Sequence, residues 1–459
     1  MILRRTVLPL LISALTTVSI SFSPTQAQAQ AAQWRDIRDA GIVRGLWVSR
    51  WEYSSPDDIS ALLSRSAAWG ITDVYFQVRG RGDAFYRSTI EPWGAELTGT
   101  LGQDPGWDPL EVAIREARQR GLRLHAWINT FTMWSGTTPP PATQPEHIYR
   151  SNPDWIMANR EGLTLRLGNR FGYVLAAPGN PEVQARIEAV VMDIVERYPV
   201  DGIHYDYIRL PDHDYSYDAV SRHRFLTESG SDTYMGWQAG EISGMLERIS
   251  ARARAVRRGI IFSAAIVNHY HRAIGIFAQD PAVWTASGAL DYVVPMMYTP
   301  STAEFMMMLE GYQDMIPSPY IVAGINLGEM PDDPVTLAAQ VHESLLSGVL
   351  GHALFSLGEV DRLEPDGFGE EGFYTWLEQQ QGIRLITAEP VRVEMRAEEA
   401  RPRFNILPSD TSAAEEPARA GSQERESAGQ VSPARRRTFL RWFLPTLAGA
   451  AVVAIILIL

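Results

Sequence analysis

The chain alternates short apolar, β-rich runs with stretches in which apolar residues recur every three or four positions. Eight such repeats predict an α/β fold, the (β/α)8 TIM barrel, whose usual length they match. An open doubly wound sheet is the alternative fold, but the chain has no Gly-rich phosphate turn of the kind that fold uses. The predicted strands are 43–49, 71–79, 122–129, 202–209, 260–268, 290–298, 320–327 and 351–357, and predicted helices include 57–69, 108–120, 181–197, 235–257 and 334–346.

The N-terminal segment differs from the barrel region. Arg4 and Arg5 precede an apolar run at 7–20, and the small residues Ala27 and Ala29 follow at the place where a signal peptidase would cut. This order is typical of a secretory signal peptide, which we predict over residues 1–29. We therefore expect an exported protein, periplasmic or at the cell surface, with the barrel domain over residues 30–385.

The C-terminal part predicts a tether and an anchor. Residues 386–437 are rich in Pro, Ala, Ser, Glu and Arg, a composition that cannot bury a core and predicts a disordered linker. Residues 438–459 are apolar apart from Arg441 and long enough for a transmembrane helix, so the membrane is an expected partner. The arginines at 435–437 precede this span with nothing basic after it, which opposes the positive-inside tendency for an exported body.

Composition narrows the possible functions. The net charge of −13 disfavours nucleic acid as a partner, and the lack of cysteine excludes disulfides and thiolate chemistry. The 13 Trp and 17 Tyr residues fit a sugar-binding cleft, although aromatic residues also fill large cores.

Strand alternation places polar side chains inside the predicted barrel. In a barrel strand, alternate residues face the helices and the barrel axis. Polar residues then collect at the carboxyl ends of several strands, where TIM-barrel active sites lie. An internal hydrogen-bond network is the alternative for any single residue, but the whole group favours a substrate cleft. The residues expected to point inward are Tyr75, Gln77, Arg79, His125, Trp127, Asn129, His204, Asp206, Ile208, Met296, Tyr298 and Asn326.

Several motifs in this order resemble the glycosyl-hydrolase-like family 10. The resemblance covers roughly residues 43–358 and implies a TIM barrel outside the cytoplasm that acts on glycan strands. The activity it implies is hydrolysis between amino sugars in peptidoglycan that lacks stem peptides. The motifs are Arg44-Gly-Leu-Trp47, Gln77-Val-Arg79 with Gly82-Asp83-Ala84-Phe85-Tyr86, His125-Ala-Trp127-Ile-Asn129, and Val200-Asp201-Gly-Ile-His204-Tyr-Asp206-Tyr.

The chain also departs from related patterns. The sixth-strand motif is Pro295-Met-Met-Tyr298, where the family usually has Pro-Gln followed closely by Tyr. In chitinase-like barrels the fourth strand carries a catalytic glutamate two residues after the last aspartate. Ile208 occupies that position here, so this chain cannot use that scheme unchanged.

Glycoside cleavage needs a carboxylic acid to protonate the leaving oxygen, and a second carboxylate or the substrate's acetamido group on the opposite face. We predict Asp206 as general acid or nucleophile; a salt bridge to Arg209 or Arg79 is its structural alternative. Asp83 is the second predicted catalytic residue, although an Asx turn explains it equally well. Glu52, Glu329 and Glu359, just past other strands, stay open as partner carboxylates.

The predicted substrate is a polysaccharide. Trp47 and Trp134 are further stacking candidates, with packing as the alternative for the inward-pointing Trp47 and Trp127. The long 130–180 segment is expected to form a cleft wall. The residues predicted to bind substrate are Arg79, Tyr86, Trp127, Asn129, His204, Arg209, Tyr298 and Asn326.

Other functions remain as alternatives. His269 and His271 lie close in sequence, yet no carboxylate cluster completes a ligand set, so we expect no metal and no other cofactor. A non-catalytic barrel that binds wall glycan and a hydrolase of an exopolysaccharide are the rival functions.

Overall fold

The computed structural model describes residues 41–231, 233–331, 333–363 and 372–381. Eight parallel strands form its central sheet: β1 (Val43–Val48), β2 (Asp73–Arg79), β3 (Arg123–Asn129), β6 (Gly202–Asp206), β7 (Ile261–Ile266), β8 (Tyr292–Pro295), β9 (Val322–Asn326) and β10 (Gly351–Phe355). Their order in the sheet is β8-β7-β6-β3-β2-β1-β10-β9.

The two outer strands of this order, β8 and β9, meet each other. Parallel bridges join Val293 to Ile321 and Met296 to Gly324, and the Met297 N–H donates to the Gly324 carbonyl at 3.0 Å. The sheet is thus a nearly closed barrel with helices outside it, as a (β/α)8 fold requires. The predicted TIM barrel is confirmed.

Local sequence explains where the helices begin. Ser55 caps the first helix with a capping box and Pro56 at its first turn, and Asp108 and Asn180 cap two later helices. The helices are α1 (Pro56–Ala68), α2 (Pro109–Gln119), α3 (Ile148–Ser151), α4 (Pro181–Arg197), α5 (Ala219–Glu228), α6 (Tyr234–Val256), α7 (Tyr270–Phe277), α8 (Pro281–Ala286), α9 (Thr302–Gln313), α10 (Pro334–Leu346), α11 (Leu357–Leu363) and α12 (Gly372–Gln381), with short 3-10 turns at Ala95–Leu97, Pro153–Trp155, Ser318–Tyr320 and Leu327–Glu329.

The long connection between β3 and α4 lies at the carboxyl end of the barrel. It contains α3 and a two-stranded antiparallel ribbon of β4 (Thr132–Trp134) and β5 (Val174–Leu175). An antiparallel bridge between Asn159 and Tyr215 joins it to the loop after β6. Two loops from neighbouring strands therefore form one continuous structure beside the mouth of the barrel.

The apolar core has two parts. The larger part lies between the sheet and the helices and includes Phe76, Ile128 and Tyr205. The smaller part lies inside the barrel and includes Trp47, Tyr75, Trp127 and Tyr292, with Met296 and Phe355 partly buried against it. The inner part closes the barrel as a packed core and forms the floor beneath its mouth.

The predicted signal peptide, linker and transmembrane helix lie outside the described residues, so they stay predictions. In the described part of the chain, no helix is both long and apolar enough to cross a bilayer.

Candidate active site

Below the mouth of the barrel, polar side chains are paired with each other. Asp73 accepts two hydrogen bonds from Arg123, both at 2.7 Å, and lies 3.0 Å from His125 Nε2. Burial opposes ionisation of Asp73, but these partners outweigh it and hold the pKa of its carboxyl far below the usual range. The Tyr75 and Tyr292 hydroxyls lie 3.1 Å apart. These groups form an internal network rather than a binding surface.

His204 belongs to the same interior. Its Nε2 accepts from the Trp47 indole N–H at 3.0 Å, and its Nδ1 is 2.9 Å from the Ser263 hydroxyl. Burial, with a smaller effect from His125, holds the pKa of His204 well below 6.5, so its ring is neutral. His204 has no exposed surface, and both of its ring nitrogens have partners. It therefore supports the floor, contrary to the prediction that it binds the substrate.

Asp206 stands at the rim above this floor. It is the last residue of β6 and lies beside Asn129 in the sheet register. Its Oδ1 accepts from the Tyr207 backbone N–H at 2.6 Å and from Arg209 at 3.1 Å. Its Oδ2 receives no hydrogen bond from the described residues. One oxygen is thus fixed by two donors, while the other is left for a ligand.

Further polar groups near Asp206 also lack partners. The Asn129 Oδ1 accepts from Gln77 at 3.2 Å, but its amide nitrogen makes no hydrogen bond within the described residues. The Trp127 indole N–H is buried and has none there either. Because a buried unpaired polar group costs about 1–3 kcal/mol, the Trp127 N–H favours a polar ligand near this opening.

Tyr298 contributes a hydroxyl to the same opening. It is partly exposed and stacks on Phe355, with ring centroids 5.9 Å apart. Burial, and then the nearby Asp206 carboxylate, raise the pKa of Tyr298 well above 10, so its hydroxyl keeps its proton. It can therefore donate a hydrogen bond to a sugar oxygen.

Tyr207 is a residue next to Asp206 that strand alternation does not describe. β6 ends at Asp206, and Tyr207 has a φ of +48° while it packs against the larger core. This left-handed conformation, uncommon for a residue other than glycine, turns its ring under the Arg209 guanidinium at 4.5 Å. Ile208, expected inside, is instead buried in the outer core. A positive φ leaves no periodic signal in the sequence.

Arg79 was also expected inside the barrel, and that prediction is wrong. The register with β3 shifts between Gln77 and Arg79, so Arg79 pairs with Ile128, a residue of the outer core. A β-bulge of this kind moves the following side chain to the other face. Arg79 forms a fully buried ion pair with Glu91 at 2.8 Å, which braces the loop after β2.

Asp83 and Tyr86, in the same loop, do not reach the mouth. Both are fully buried. Asp83 accepts from the Arg81 backbone N–H at 2.8 Å. Burial alone would raise the pKa of Asp83, but Arg81 and Arg50 outweigh it and lower the pKa, the wrong direction for a proton donor. Tyr86 packs against Tyr198 in the outer core, with ring centroids 5.7 Å apart.

The remaining candidates lie around other parts of the rim. Asn326, at the end of β9, accepts from the Gly328 N–H at 2.9 Å, so it shapes the turn where Glu329 lies. Glu359 pairs with Arg362.

Glu52 connects two rim loops. Its carboxylate accepts from the Ser49 and Gly358 N–H groups at 2.5 and 2.6 Å and from the Ser356 hydroxyl at 3.2 Å. It thereby ties the loop after β1 to the end of β10. Burial raises the pKa of Glu52 despite these hydrogen bonds.

Some rim residues were not singled out in the sequence. Arg50 donates to Gln77 at 3.1 Å and to the Tyr173 hydroxyl at 3.4 Å, and its guanidinium lies over the Trp51 ring at 4.6 Å. Tyr173 lies in the long insert, and its ring centroid is 4.9 Å from that of Tyr207. Arg50 and Trp51 directly follow a predicted strand, which is the one signal that could have identified them.

Among the described residues, Asp212, His213 and Asp214 form the one group of three potential metal ligands within reach of each other. The two carboxylates already pair with arginines, Asp212 with Arg170 at 2.8 Å and Asp214 with Arg160 at 2.9 Å.

Comparisons with known proteins agree with this geometry. The profile of the family described as Glycosyl hydrolase-like 10 matches residues 42–317. The chain belongs to this family. The predicted family is thereby confirmed, and so is the prediction that the protein is an enzyme of the glycoside hydrolase class.

Two similar proteins are both named glycosyl hydrolases. The chain is 28% identical over 325 residues to glycosyl hydrolase DigH of Escherichia coli K12, covering 60% of this chain and 70% of that protein. It is 25% identical over 326 residues to glycosyl hydrolase YngK of Bacillus subtilis 168, covering 64% of this chain and 60% of that protein.

Solved structures show the same fold. The glycoside hydrolase domain of PgaB (BpsB) from Bordetella bronchiseptica superposes with a TM-score of 0.55 at 12% identity, covering 76% of this chain and all of that domain. The catalytic domain of β-amylase from Paenibacillus polymyxa gives a TM-score of 0.50 at 10% identity, covering 74% of this chain and 98% of that one. At such identities the likeness concerns the fold alone.

Proposed function

We propose that this protein hydrolyses the amino-sugar glycan of the bacterial cell wall, peptidoglycan strands without stem peptides, and that Asp206 acts directly on the sugar. The observation that carries the proposal is the Oδ2 of Asp206, a largely buried residue at the end of β6 beside Asn129: this oxygen accepts no hydrogen bond from the described residues. The choice of glycan rests on the motifs shared with the family.

Asp206 is proposed to work as a carboxylate. Its Oδ1 accepts from the Tyr207 N–H and from the Arg209 guanidinium, which hold the carboxyl group in place. The free oxygen would then face the positive charge that develops at the anomeric carbon as the glycosidic bond breaks. Asn129 and Tyr298 would hold the sugar hydroxyls.

The proton for the leaving oxygen would come from another carboxyl group. Glu52 is the first candidate, because it lies just past β1 and burial raises its pKa, the direction that a proton donor needs. Its structural role between two loops is the alternative. The donor role would be supported by a Glu52→Gln variant that folds normally and whose kcat no longer falls with rising pH as the donor loses its proton. A variant that shows only a lower thermal stability would refute it.

The experiment uses the full chain and a panel of glycans: peptide-free peptidoglycan strands, peptide-bearing strands, and exopolysaccharides with and without N-acetyl groups. We expect new reducing ends from the peptide-free strands and none from the Asp206→Asn variant. Cleavage of an exopolysaccharide alone would mean that the exopolysaccharide, and not the peptide-free strand, is the substrate. Glycan pull-down without cleavage of any member would refute hydrolysis and favour the binding barrel.

We also propose that the protein is exported and held at a membrane by its C-terminal segment, in the periplasm or at the cell surface. The apolar run and small residues within 1–29 and the apolar run at 438–459 support this proposal. Cell fractionation of the full chain and of a chain ending at 437 tests it. The full chain should sediment with membranes and the shortened chain should not; equal distribution of both would contradict the anchor.

A further inference from the structure

Three arginines in loops at the carboxyl end of the barrel differ in how many of their hydrogen-bond donors are used. All three nitrogens of the Arg50 guanidinium donate to side chains, and so do all three of Arg81. Arg209 uses one nitrogen, since its Nη1 donates to Asp206 Oδ1 at 3.1 Å. Its Nε and Nη2 make no hydrogen bond within the described residues. Arg209 therefore still has donors for a ligand.

The unused donors of Arg209 are open to solvent. The side chain keeps 16% of its surface exposed, and neither Nε nor Nη2 is among the enclosed nitrogen atoms without a partner. The unpaired Oδ2 of Asp206 is not enclosed either. Burial raises the pKa of Tyr298, Asp206 raises it further and Arg209 lowers it, so both charges lie near the Tyr298 hydroxyl. A ligand that meets the free oxygen of Asp206 therefore lies beside the open edge of Arg209.

The Arg209 guanidinium is also held in a fixed orientation. One face lies over the Tyr207 ring at 4.5 Å, and that ring packs against Tyr173 with the centroids 4.9 Å apart. The bond from Nη1 to Asp206 fixes one corner of the group. Because these contacts leave Nε and Nη2 on the side that is still free, a ligand finds both donors already in place and orders little on binding.

An open and fixed guanidinium suits a carboxylate. Its planar N–H fork matches the two carboxylate oxygens, and such charge-assisted hydrogen bonds are stronger than neutral ones. The peptide-free strand proposed as substrate carries a free lactyl carboxylate on every second sugar. In a peptide-bearing strand the same carboxyl group forms an amide bond to the peptide and has no charge. An arginine can therefore distinguish the two strands at the point where they differ chemically.

We propose that Arg209 is a specificity-determining residue that binds the free carboxylate of the acidic amino sugar at the cleaved bond through Nε and Nη2. This inference rests on the proposed function and names the contact that selects strands without stem peptides. Because the same guanidinium holds Asp206 through Nη1, the bound carboxylate lies next to the reacting group.

The test combines enzyme variants with two forms of one substrate. Peptide-free strands are compared with the same strands after conversion of their carboxylates to methylamides, so that the sugars and the chain length are equal and the charge differs. The enzymes are the wild type, Arg209→Gln, Arg209→Lys and Arg170→Gln. Arg170 is the matched control, because this exposed arginine of the insert pairs with Asp212 at 2.8 Å.

We expect kcat/KM of the wild type and of Arg170→Gln to be roughly tenfold or more higher on the carboxylate form. Arg209→Gln should show no preference, and Arg209→Lys, which keeps the charge but not the fork, should show a smaller one. If Arg209 only holds Asp206, Arg209→Gln lowers kcat/KM equally on both forms, and the proposal is overturned. Equal kcat/KM of the wild type on both forms overturns it without any variant, even if Arg209→Gln does not fold.

A binding measurement separates this inference from the proposed function. If the wild type cleaves neither form, the proposed function fails, and calorimetric titration with short fragments of both forms decides the role of Arg209. A Kd that is at least tenfold lower for the carboxylate form in the wild type, and equal for both forms in Arg209→Gln or Arg209→Lys, supports carboxylate binding. Equal Kd values in the wild type overturn it.

Discussion

The interior of the barrel and its rim are built from the same kind of residue and differ in how those residues are paired. In the interior, Asp73 binds Arg123 and His125, and His204 binds Trp47 and Ser263. At the rim, Asp206 keeps one oxygen without a hydrogen bond from the described residues. Inward-facing polarity alone therefore does not mark a binding residue. Polar residues deep in the barrel form structural pairs, whereas a polar residue at the carboxyl end of a strand can keep a group open to a ligand.

The largest expected effect is the loss of turnover on substitution of Asp206, compared with substitution of Asp201 just before the same strand. Asp206→Asn should keep the fold and lower kcat by about three orders of magnitude or more, because it removes the carboxylate that faces the reacting sugar. Steady-state release of reducing ends measures this. Asp201→Asn is the matched control, since the Asp201 side chain, just before the start of the strand, accepts only the Leu124 N–H among the described residues, at 2.8 Å. Similar losses in both variants would contradict the difference between rim and interior.

The second prediction concerns stability in the interior. Asp73→Ala leaves His125 buried and unpaired and removes the anion beside Arg123, so the free energy of unfolding should fall by roughly 3 kcal/mol. Denaturant titration measures this, with the exposed Asp57→Ala on α1 as control. The folded fraction should retain the wild-type kcat. A normal stability combined with lost turnover would place Asp73 in the active site and contradict the distinction between interior and rim.

The third prediction is a pH dependence of stability. Burial lowers the pKa of His147 to about 4 and of His352 to about 3. Between these values and 6.5 the unfolded chain binds more protons than the folded one, so stability falls as the pH falls through this window. Each histidine should contribute about 1.4 kcal/mol per pH unit.

The His147→Asn variant isolates one of these contributions. Asparagine can keep the cap that the His147 ring provides to the Tyr149 N–H, but it does not titrate. Denaturant titrations from pH 6.5 to 4 should show a slope that is smaller by about 1.4 kcal/mol per pH unit in the variant. An unchanged slope would mean that His147 is not sealed from water.

The smallest expected effect comes from a Tyr→Phe substitution, made once at the rim and once in the interior. Tyr298→Phe at the rim should lower kcat/KM roughly tenfold, because one hydrogen bond to the sugar is lost, and leave stability unchanged. Tyr75→Phe in the interior should lower the free energy of unfolding by about 1 kcal/mol and leave kcat/KM unchanged. The reverse outcome would exchange the roles of the two regions.

The sequence predicts the barrel well because eight apolar runs separated by amphipathic helices leave few alternatives. It predicts Asp206 and Asn129 at the rim because β3 and β6 follow regular alternation up to their ends. It fails where the backbone is irregular: the bulge before Arg79 reverses that side chain, and the positive φ of Tyr207 ends the alternation. It also cannot tell His204 from Asp206, since both face inward and only the pairing with Trp47 and Ser263 separates them.

The most direct test is a crystal structure of the Asp206→Asn variant with a peptide-free oligosaccharide. The account predicts a sugar ring at the mouth of the barrel, with the side chain at position 206, Asn129 and Tyr298 within hydrogen-bond distance, and no sugar contact to His204 or Asp73. A sugar bound elsewhere, with position 206 untouched, would contradict it.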